Sequence, residues 1–290
     1  MEINARTQFC GVIGNPVEHS LSPAIHNAAF QKRGLNFVYL AWQVDTIGDA
    51  VKGLRALGNF RGASVTIPHK VSAMPFLDEV EPTARHIGAI NTIVADNGKL
   101  TGYNTDATGA LRALRDGGVA LKGQRVVLLG SGGAARAIAF ALAAESGVAQ
   151  LTVLGIDDKE RRQLVNDLQA KAALSVQEAH LDEQALRRAL PEAQVLLHCT
   201  PVGMHPKVGE SCVPAALLHP GLTVMDIVYN PRETRLLKEA KAAECRVIQG
   251  LEMFLNQAVA QFELWTNQPA PVELMREIAF RKLSKNEGSD

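Results

Sequence analysis

The sequence predicts an α/β protein of two domains, the second of them a doubly wound dinucleotide-binding unit. Short β-branched segments alternate with longer amphipathic ones along most of the chain, which is typical of βαβ units and parallel sheet. The length of 290 residues exceeds what a single hydrophobic core usually organises. A glycine-rich turn, GSGGAARA at 130–137, joins an apolar segment to a helical one, as nucleotide-binding loops do.

The elements of the N-terminal half follow from this alternation. Strands are predicted in CGVIG, FVYLAWQV, GASVTIP and NTIVADN, and helices in SPAIHNAAFQKRG and GDAVKGLRALG. Val65 and Ile67 share one face of the third strand, and Pro68 cannot donate to a ladder. We therefore expect this strand to stop near Ile67 and to leave Lys70 at its end. By itself Lys70 is better explained as a solvent-exposed residue that opens the next helix.

The C-terminal half continues the pattern. Its predicted strands are RVVLLG, LTVLG, QVLLHCT, TVMDIVY and CRVIQG, and its predicted helices are TGALRALRDGG, AARAIAFALAAESG, DKERRQLVNDLQAK, DEQALRRAL and ETRLLKEAKAAE. We place the first domain boundary close to Asp106, so that the domains are 1–106 and 107–245. Segment 246–290 contains the apolar helix GLEMFLNQAVAQFELWT and is expected to complete the first domain. A ligand is expected in the cleft between two such lobes.

Composition excludes several classes of function. Lys plus Arg and Asp plus Glu number 30 each, so no net charge field favours nucleic acid or an anionic membrane. No apolar run is long enough to span a bilayer, and the N-terminus does not read as a signal peptide. The four cysteines are scattered without CxxC spacing and the eight histidines show no HExxH, which argues against a metal site. We expect reduced thiols, a cytoplasmic protein and a small-molecule substrate.

The glycine turn matches the G-x-G-x-x-G/A fingerprint at Gly130, Gly132 and Ala135. The first glycine permits the tight turn, the second lets backbone approach a pyrophosphate, and the alanine keeps the helix close to the strand. The helix N-terminus adds unpaired N–H groups and a partial positive charge. The fingerprint alone is also compatible with an ordinary strand-to-helix turn, but its position predicts a Rossmann-like domain that binds NAD or NADP.

Acidic residues at the end of the next strand bear on the choice of cofactor. Asp157 follows Gly132 by 25 residues, close to the spacing of about 20 at which a carboxylate binds the adenosine ribose. Its charge and that of Asp158 would repel a 2′-phosphate, which favours NAD. Two alternatives stay open. The aspartates can cap the following helix, and the basic residues Lys159, Arg161 and Arg162 could bind the phosphate of NADP instead.

Eight stretches together resemble the shikimate dehydrogenase family, including its quinate/shikimate branch. They cover most of the chain in family order: GNPVEHSLSPAIHN (14–27), ASVTIPHK (63–70), GAINT (88–92), GYNTDATG (102–109), GSGGAARA (130–137), TPVGM (200–204), DIVYNP (226–231) and GLEMFLNQA (250–258). The resemblance implies a nicotinamide-dependent oxidoreductase that interconverts shikimate and 3-dehydroshikimate. Quinate oxidation is the alternative, and a ligand sensor without turnover is the remote one. No nucleic-acid or membrane partner is implied, and a homodimer is the assembly to test.

The resemblance also assigns roles to individual residues. Lys70 and Asp106 match the catalytic pair, either sharing proton transfer or with Asp106 only positioning the substrate. Substrate-binding positions are matched by Ser20, Ser22, Thr66, Asn91, Tyr229 and Gln257. The pyrophosphate loop is matched by Gly130, Ser131, Gly132, Gly133, Ala134 and Ala135, and the nicotinamide is bordered by Thr200, Gly250 and Met253. Some of these residues have a structural alternative: Asp106 and Ser20-Leu21-Ser22 could serve as helix caps, and Gln257 as a satisfied core amide.

Three departures from the family pattern stand out. Ser64 occupies a position where many members have Asn, and His198-Cys199 replaces the commoner Asn-Ala before Thr-Pro. Gly155-Ile156-Asp157 replaces the Asn-Arg-Thr that NADP-using members present to the 2′-phosphate. The lost arginine supports NAD independently of the ribose argument. If Ser20-Leu21-Ser22 is extended, its two hydroxyls lie on one side and suit a carboxylate.

Overall fold

The structure is a computed structural model that describes residues 2–145, 147–172 and 174–286. It divides into two compact units. The first comprises Met1–Thr105 and Gln257–Asp290, and the second comprises Asp106–Asn256. The last four residues of the predicted segment 246–290 lie outside the described residues. The two-domain α/β prediction is confirmed.

The elements follow in chain order. Up to Thr105 they are β1 (Gln8–Gly14), α1 (Ser22–Lys32), β2 (Phe37–Gln43), α2 (Ile47–Arg55), β3 (Phe60–Val65), β4 (Glu79–Val80), α3 (Pro82–Ile87), β5 (Thr92–Asp96) and β6 (Lys99–Tyr103). The remainder are α4 (Asp106–Asp116), β7 (Arg125–Leu129), α5 (Gly133–Glu145), β8 (Gln150–Gly155), α6 (Asp158–Lys171), β9 (Val176–His180), α7 (Glu183–Ala189), β10 (Val195–His198), β11 (Thr223–Asp226), α8 (Arg235–Ala242), β12 (Arg246–Gln249), α9 (Gly250–Thr266) and α10 (Val272–Asn286).

The sheet of the first unit is mixed rather than wholly parallel. Its order is β2-β1-β3-β5-β6-β4, and β5 is antiparallel to both β3 and β6. The pairing of β5 with β6 has a local cause: Asn97 and Gly98 both have positive φ, 49° and 80°, which is the backbone that a two-residue hairpin needs. This Asn-Gly pair was the signal that could have predicted β6 as the partner of β5.

The second half of α9 is anchored in the first unit. The indole Nε1 of Trp265 donates to the carbonyl of Ile93 on β5 at 3.0 Å. On β3, a Cβ at Gly62 would lie 2.3 Å from the same indole nitrogen, so only glycine allows the helix to approach. The apolar face of α9 therefore covers the sheet of the first unit, as its composition predicted.

The sheet of the second unit is parallel throughout, in the order β12-β11-β10-β7-β8-β9. The chain builds outward from β7 in one direction, then returns to place β10 on the other side of β7. The carboxyl ends of β7 and β10 thus flank the point where strand order reverses, which is where doubly wound sheets bind their ligands. Its core is aliphatic, with Leu129, Leu196 and Val224 almost fully buried.

The return to the first unit comes later than residue 246. Ile248 of β12 pairs in parallel register with Met225 of β11, so this strand completes the sheet of the second unit. The first turns of α9 stay with that unit as well, and the return falls at Gln257. Asp106, placed in the first domain by the sequence, is the first residue of α4 in the second unit.

No helix in residues 2–145, 147–172 and 174–286 combines the length and the apolar character needed to cross a bilayer. Cys10 and Cys245 are buried free thiols, and Cys199 and Cys212 are half-buried free thiols. Within the same residues, no group of three or more His, Cys, Asp or Glu side chains is arranged to hold a metal ion.

Candidate active site

The glycine turn has the local geometry that its predicted roles require. Gly130 has φ +108°, and a Cβ there would lie 2.8 Å from the carbonyl oxygen of Cys199. A Cβ at Gly132 would meet nothing within 4 Å, so the backbone there is open to a close approach. Ala135, in the first turn of α5, is fully buried. Cofactor binding by the loop stays a prediction, now with a fitting backbone.

The rest of the loop packs on the neighbouring strand. The hydroxyl of Ser131 would lie 3.1 Å from a Cβ at Gly155, the last residue of β8. Ser131, Gly133 and Ala134 are all half-buried. Because Gly133 starts α5, the open backbone at Gly132 directly precedes a helix N-terminus, which is the usual site for a phosphate group.

The acidic strand end is organised around α6. Asp157 is its N-cap and accepts from Glu160 N at 2.9 Å, so the capping alternative holds for this residue. Asp158 accepts from Arg161 at 2.6 Å. That hydrogen bond and the charge of Arg161 hold the pKa of Asp158 below its usual range.

Arg161 is almost completely buried, and its guanidinium donates to three acceptors of the protein. It donates through Nε to Glu178 at 2.8 Å and through Nη1 to the carbonyl of Gly155 at 2.9 Å, besides its bond to Asp158. Of the three basic residues that could have received a 2′-phosphate, this one is used to fasten α6 to the sheet.

The first unit holds a buried cluster that we call the amide centre: Ser64, Asn91, Thr92, Thr105, Gln257 and Gln261, none more than 9% exposed. Asn91 Oδ1 accepts from Thr105 N at 2.7 Å and from Thr92 Oγ1 at 2.8 Å. A backbone N–H can only donate, which sets the orientation of the Asn91 amide. Its Nδ2 therefore donates, to Thr105 Oγ1 at 2.9 Å and towards Gln257 Oε1 at 3.4 Å.

Gln261, which sequence reasoning missed, ties α9 to this cluster. Its Nε2 donates to Asn91 O at 3.2 Å and to Thr92 Oγ1 at 3.0 Å, and its Oε1 accepts from Ser64 Oγ at 2.8 Å. Ser64 also lies 2.6 Å from the hydroxyl of Tyr39. The serine that departs from the family pattern is thus a member of an interior network. The signal for Gln261 was its position one turn after Gln257 on the same helix.

The loop that carries Lys70 begins earlier than the sequence suggested, because β3 ends at Val65. Pairing with the β1 side persists through Thr66 N to Ile13 O and Asn15 N to Ile67 O, both 2.9 Å. Lys70 and Thr66 are half-buried.

Lys70 is held through its backbone, since its carbonyl accepts from Ile90 N at 2.8 Å. Asp106 begins α4 and is 5% exposed. These two residues belong to different units, and their joint action stays a prediction.

Ser20 and Ser22 are not arranged as an extended pair. Leu21 between them has φ −79° and ψ −13° and is the N-cap of α1, so the segment already turns there. Ser20 Oγ accepts from Ser22 N at 3.3 Å, while Ser22 is buried as the first residue of the helix. The condition of an extended segment is therefore not met, and the alternative of a turn before the helix holds. The role of the two serines in binding a carboxylate stays a prediction.

The second unit holds a charged counterpart that we call the imidazole centre: His198, Thr200, Asp226 and Thr234. His198 Nδ1 lies 2.8 Å from Asp226 Oδ1, and the two side chains are 1% and 0% exposed. Asp226 also accepts from Val228 N at 2.9 Å and from Thr234 Oγ1 at 2.6 Å. His198 Nε2 lies 2.5 Å from Thr200 Oγ1.

Burial by itself disfavours a charged His198. The hydrogen bonds and charges of Asp226 and Cys212 outweigh that effect and raise the pKa of His198 to about 10. Sequence reasoning found no consequence for His198. The available signal was that two neighbouring parallel strands, β10 and β11, both end in an ionisable residue, since their ends must then meet.

The remaining predicted residues surround the start of α9. A Cβ at Gly250 would lie 2.5 Å from the carbonyl carbon and oxygen of Ile227, so only glycine fits. Met253 is 5% exposed. The ring of Tyr229 packs on Phe254 at 4.5 Å between centroids, and burial raises the pKa of its hydroxyl to about 12. Tyr229 therefore stays a neutral hydroxyl at physiological pH.

Comparison with known proteins gives a consistent result. The family model of the shikimate dehydrogenase substrate binding domain matches residues 12–93, and that of the shikimate 5'-dehydrogenase C-terminal domain matches residues 250–280. A protein of Moorella thermoacetica named shikimate dehydrogenase (NADP(+)) is 42% identical over 290 residues, which cover 99% of this chain and 98% of the relative.

Solved structures agree with this. Shikimate 5-dehydrogenase from Listeria monocytogenes, in complex with shikimate and NAD, has a TM-score of 0.87 at 38% identity and covers 96% of this chain and 98% of that one. Quinate dehydrogenase from Corynebacterium glutamicum, in complex with NAD, has a TM-score of 0.86 at 31% identity and covers 95% and 99% of the two chains.

Proposed function

The chain belongs to the shikimate dehydrogenase family, and we propose that it interconverts shikimate and 3-dehydroshikimate by hydride transfer with a nicotinamide cofactor. Family membership makes it an oxidoreductase that acts on a CH–OH group. The observation that carries the substrate assignment is similarity along nearly the whole chain to shikimate dehydrogenases, at 42% identity for the relative from Moorella thermoacetica. The quinate dehydrogenase structure is similar at 31% identity, so quinate stays the second candidate.

The chemistry requires a group that handles a proton. Oxidation of a secondary alcohol removes a hydride from carbon and a proton from the hydroxyl, so a base must lie within hydrogen-bond reach. We assign this role to Lys70 together with Asp106. In the direction of reduction, Lys70 as an ammonium donates the proton to the developing alkoxide. A nicotinamide ring, when bound, supplies or accepts the hydride.

The amide centre suits a polyhydroxylated substrate. Asn91 has its oxygen committed to Thr105 and Thr92, so its Nδ2 is the donating side of the amide. Gln257 faces that side through its Oε1. Hydroxyl groups of a ring both donate and accept, and amides whose orientation is fixed discriminate between their positions. We propose that Asn91, Gln257 and Thr66 bind the ring hydroxyls, with Ser20, Ser22 and Tyr229 near the carboxylate.

We propose NAD as the preferred cofactor. The comparisons favour NADP, since the relatives from Moorella thermoacetica and Desulforamulus reducens are both named for NADP(+), while the Listeria monocytogenes structure holds NAD. The proposal of NAD therefore rests on this chain's own residues, against the names of these relatives. Two exposed carboxylates, Asp157 and Asp158, follow the end of β8 at the start of α6, and Arg161 is buried and donates to protein acceptors. A 2′-phosphate there would meet negative charge.

Steady-state kinetics test the function directly. Absorbance of reduced nicotinamide is followed with shikimate or quinate and with NAD or NADP, and we expect the highest kcat/KM for shikimate with NAD. Absence of turnover in all four combinations would contradict the proposed function and favour a ligand sensor.

Replacement of Lys70 tests the proton-transfer role. Lys70→Ala should lower kcat by about 10²–10⁴-fold, the usual contribution of a general acid or base, while substrate affinity stays within about tenfold. Lys99→Ala is the control, because this exposed lysine of the same unit pairs with Glu79. Unchanged kcat in Lys70→Ala, or equal losses in both variants, would refute the assignment.

The cofactor preference is tested without disturbing α6. Asp157→Ser removes the charge but keeps a good N-cap, and we expect the ratio of kcat/KM for NAD over NADP to fall by about tenfold. Glu192→Gln is the control, since Glu192 pairs with Arg125 at the opposite end of β7. An unaltered ratio in both Asp157→Ser and Asp158→Ser would remove the carboxylate argument.

A further inference from the structure

Thr200 lies beside the glycine turn. It follows β10 by two residues, and β10 is the neighbour of β7, from which the turn emerges. A Cβ at Gly130 would lie 2.8 Å from the carbonyl oxygen of Cys199 and 3.4 Å from Cγ2 of Thr200. The Thr200 hydroxyl is therefore at the reversal of strand order in the second unit, where a dinucleotide binds in sheets of this kind.

The proton positions around His198 follow from its partner. Asp226 is fully buried and receives hydrogen bonds from Val228 N and Thr234 Oγ1. Both oxygens of Asp226 thus serve as hydrogen-bond acceptors, and a carboxylate oxygen without a proton can only accept. His198 Nδ1 must then donate to it. His198 Nε2 lies 2.5 Å from Thr200 Oγ1. Burial lowers the pKa of His198, but the hydrogen bonds and charges of Asp226 and Cys212 outweigh that effect and raise it to about 10, so at neutral pH Nε2 also carries a proton and donates to Thr200 Oγ1.

This arrangement uses both lone pairs of the Thr200 hydroxyl. One accepts from His198 Nε2 at 2.5 Å and the other from Val202 N at 3.2 Å. A hydroxyl has two acceptor sites and one proton, so the proton of Thr200 has to point to some other acceptor. With a neutral His198 whose Nε2 lacks a proton, the same hydroxyl would instead donate to the imidazole.

We propose that His198 is a positioning residue that turns the Thr200 hydroxyl into a committed donor to the nicotinamide cofactor. Asp226 and Thr234 hold His198 in the orientation that this requires. The proposal rests on the proposed function only in taking a nicotinamide cofactor as the ligand. His198, which stands where the family more often has asparagine, thereby acts through Thr200. The Thr200 hydroxyl, as a donor, pairs with an oxygen acceptor of the cofactor.

Two variants of His198 separate this role from a purely structural one. In His198→Gln, the amide reaches the place of Nε2 and keeps a donor for Thr200, but loses the bond to Asp226. In His198→Asn, the shorter amide reaches only the place of Nδ1 and keeps the bond to Asp226, but leaves Thr200 without its donor. Dissociation constants for NADH and NADPH are measured by fluorescence titration in the absence of shikimate, with thermal unfolding of each variant alongside.

We expect His198→Asn to weaken binding of the preferred cofactor about five- to tenfold, the value of one hydrogen bond, and His198→Gln to stay within about twofold of the unmodified chain. Thr200→Val should lose about as much as His198→Asn, and Thr200→Ser should bind normally. Because the two residues act as a unit, the double variant His198→Asn/Thr200→Val should bind no more weakly than Thr200→Val alone.

Several outcomes would overturn the proposal. Binding that is unchanged in Thr200→Val excludes a cofactor bond from this hydroxyl, even if the His198 variants fail to fold. Better binding by His198→Asn than by His198→Gln assigns His198 a structural role alone, as do additive losses in the double variant. Because cofactor binding is measured without substrate, failure to turn over shikimate would contradict the proposed function and leave these comparisons intact.

Discussion

The amide centre of the first unit and the His198–Asp226 pair of the imidazole centre are both buried but differ in charge. In the first, Asn91 and Gln261 satisfy their polar atoms with hydroxyls and backbone groups that do not titrate near neutrality. In the second, His198 and Asp226 form an ion pair that excludes water almost completely. A network of neutral amides and hydroxyls has the same donors and acceptors at any ordinary pH. In a network that contains a histidine, the protonation state of the imidazole decides which atoms donate and which accept.

The difference shows which kind of substitution each centre is sensitive to. Amides orient a hydroxylated ligand through fixed donors and acceptors. When one partner is removed, the remaining buried polar group is left unsatisfied, which destabilises the fold. An ion pair in the same degree of burial couples fold stability to pH through the pKa of its members. Substitutions that remove one partner in each centre should therefore differ in size and in pH dependence.

The largest expected effect comes from Asp226→Ala. It leaves His198 without its counter-ion and Thr234 and Val228 without their acceptor, and it should destabilise the chain by about 3–5 kcal/mol at neutral pH. His198 has a pKa of about 10 in the folded protein against an ordinary 6.5. Its stabilising contribution is complete below pH 6.5 and is lost as pH rises through 10, so the cost of Asp226→Ala should shrink over that interval.

Urea unfolding from pH 6 to 10 measures this. Asp182→Ala is the control, because Asp182 is exposed and only caps α7 through Ala185 N at 2.7 Å, which is worth about 1 kcal/mol. A cost for Asp226→Ala below that of the control, or one that does not change with pH, would mean that the imidazole centre is not ionised.

A smaller loss is expected from Asn91→Ala, which leaves Thr105 N and Thr92 Oγ1 without their acceptor. We expect about 2–3 kcal/mol, with no pH dependence between pH 6 and 9. Asn59→Ala is the control, since Asn59 is exposed and its side chain donates to Thr7 O at 2.9 Å, while its backbone bond from Phe9 N is kept in the variant. A pH-dependent cost in Asn91→Ala would break the contrast between the two centres.

The smallest effect at neutral pH is expected from His26→Leu, which sharpens the comparison with His198. His26 is fully buried and stacks on Tyr39 at 4.6 Å between centroids, and within the described residues neither ring nitrogen has a hydrogen-bond partner. Burial lowers the pKa of His26 to about 3. His26 in the unfolded chain binds a proton below about pH 6.5, whereas His26 in the folded protein stays neutral. The free energy of unfolding therefore falls as pH drops from 6.5 towards 3.

His26→Leu should remove this slope. Relative to its value at pH 8, the chain with His26 should lose about 2 kcal/mol of stability at pH 5 that the variant keeps. The readout is the difference in slope, because the absolute stability also reflects packing of the new side chain. His19→Ala, at an exposed histidine, is the control. Parallel stability curves for His26→Leu and the unmodified chain would show that His26 is not the acid-sensitive group.

Much of the fold could be predicted from the sequence because it follows from local pattern. The βαβ alternation, the fingerprint at Gly130 and the apolar helix at 250–266 all depend on residues within a few turns of each other. The antiparallel β5 and β6 depend on one Asn-Gly turn that was passed over. The return point at Gln257 was missed because β12 is short and its pairing with β11 is a long-range contact.

The candidate site was predicted less evenly. The residues of the site were identified from the resemblance to a family. The sequence did not give the local backbone conformation of every one of them, as the turn at Leu21 shows. Gln261 and the environment of His198 were not found, since each depends on strands and helices that are distant in sequence. Residue spacing predicts the faces of one helix or strand at a time. The partners of a buried side chain come from several helices and strands, so spacing does not predict them.

What the sequence by itself determined is most of the elements, with β4, α3, β6 and β9 as the exceptions, and the glycine positions that backbone geometry demands. Hydrophobic periodicity and allowed φ values are properties of neighbouring residues. Only the tertiary structure decided which polar groups are charged. His26 and His198 are the same side chain in equal burial, yet one pKa lies near 3 and the other near 10. An ionisable group responds to the dielectric and the charges that the fold brings to it, and neither is written in its local sequence.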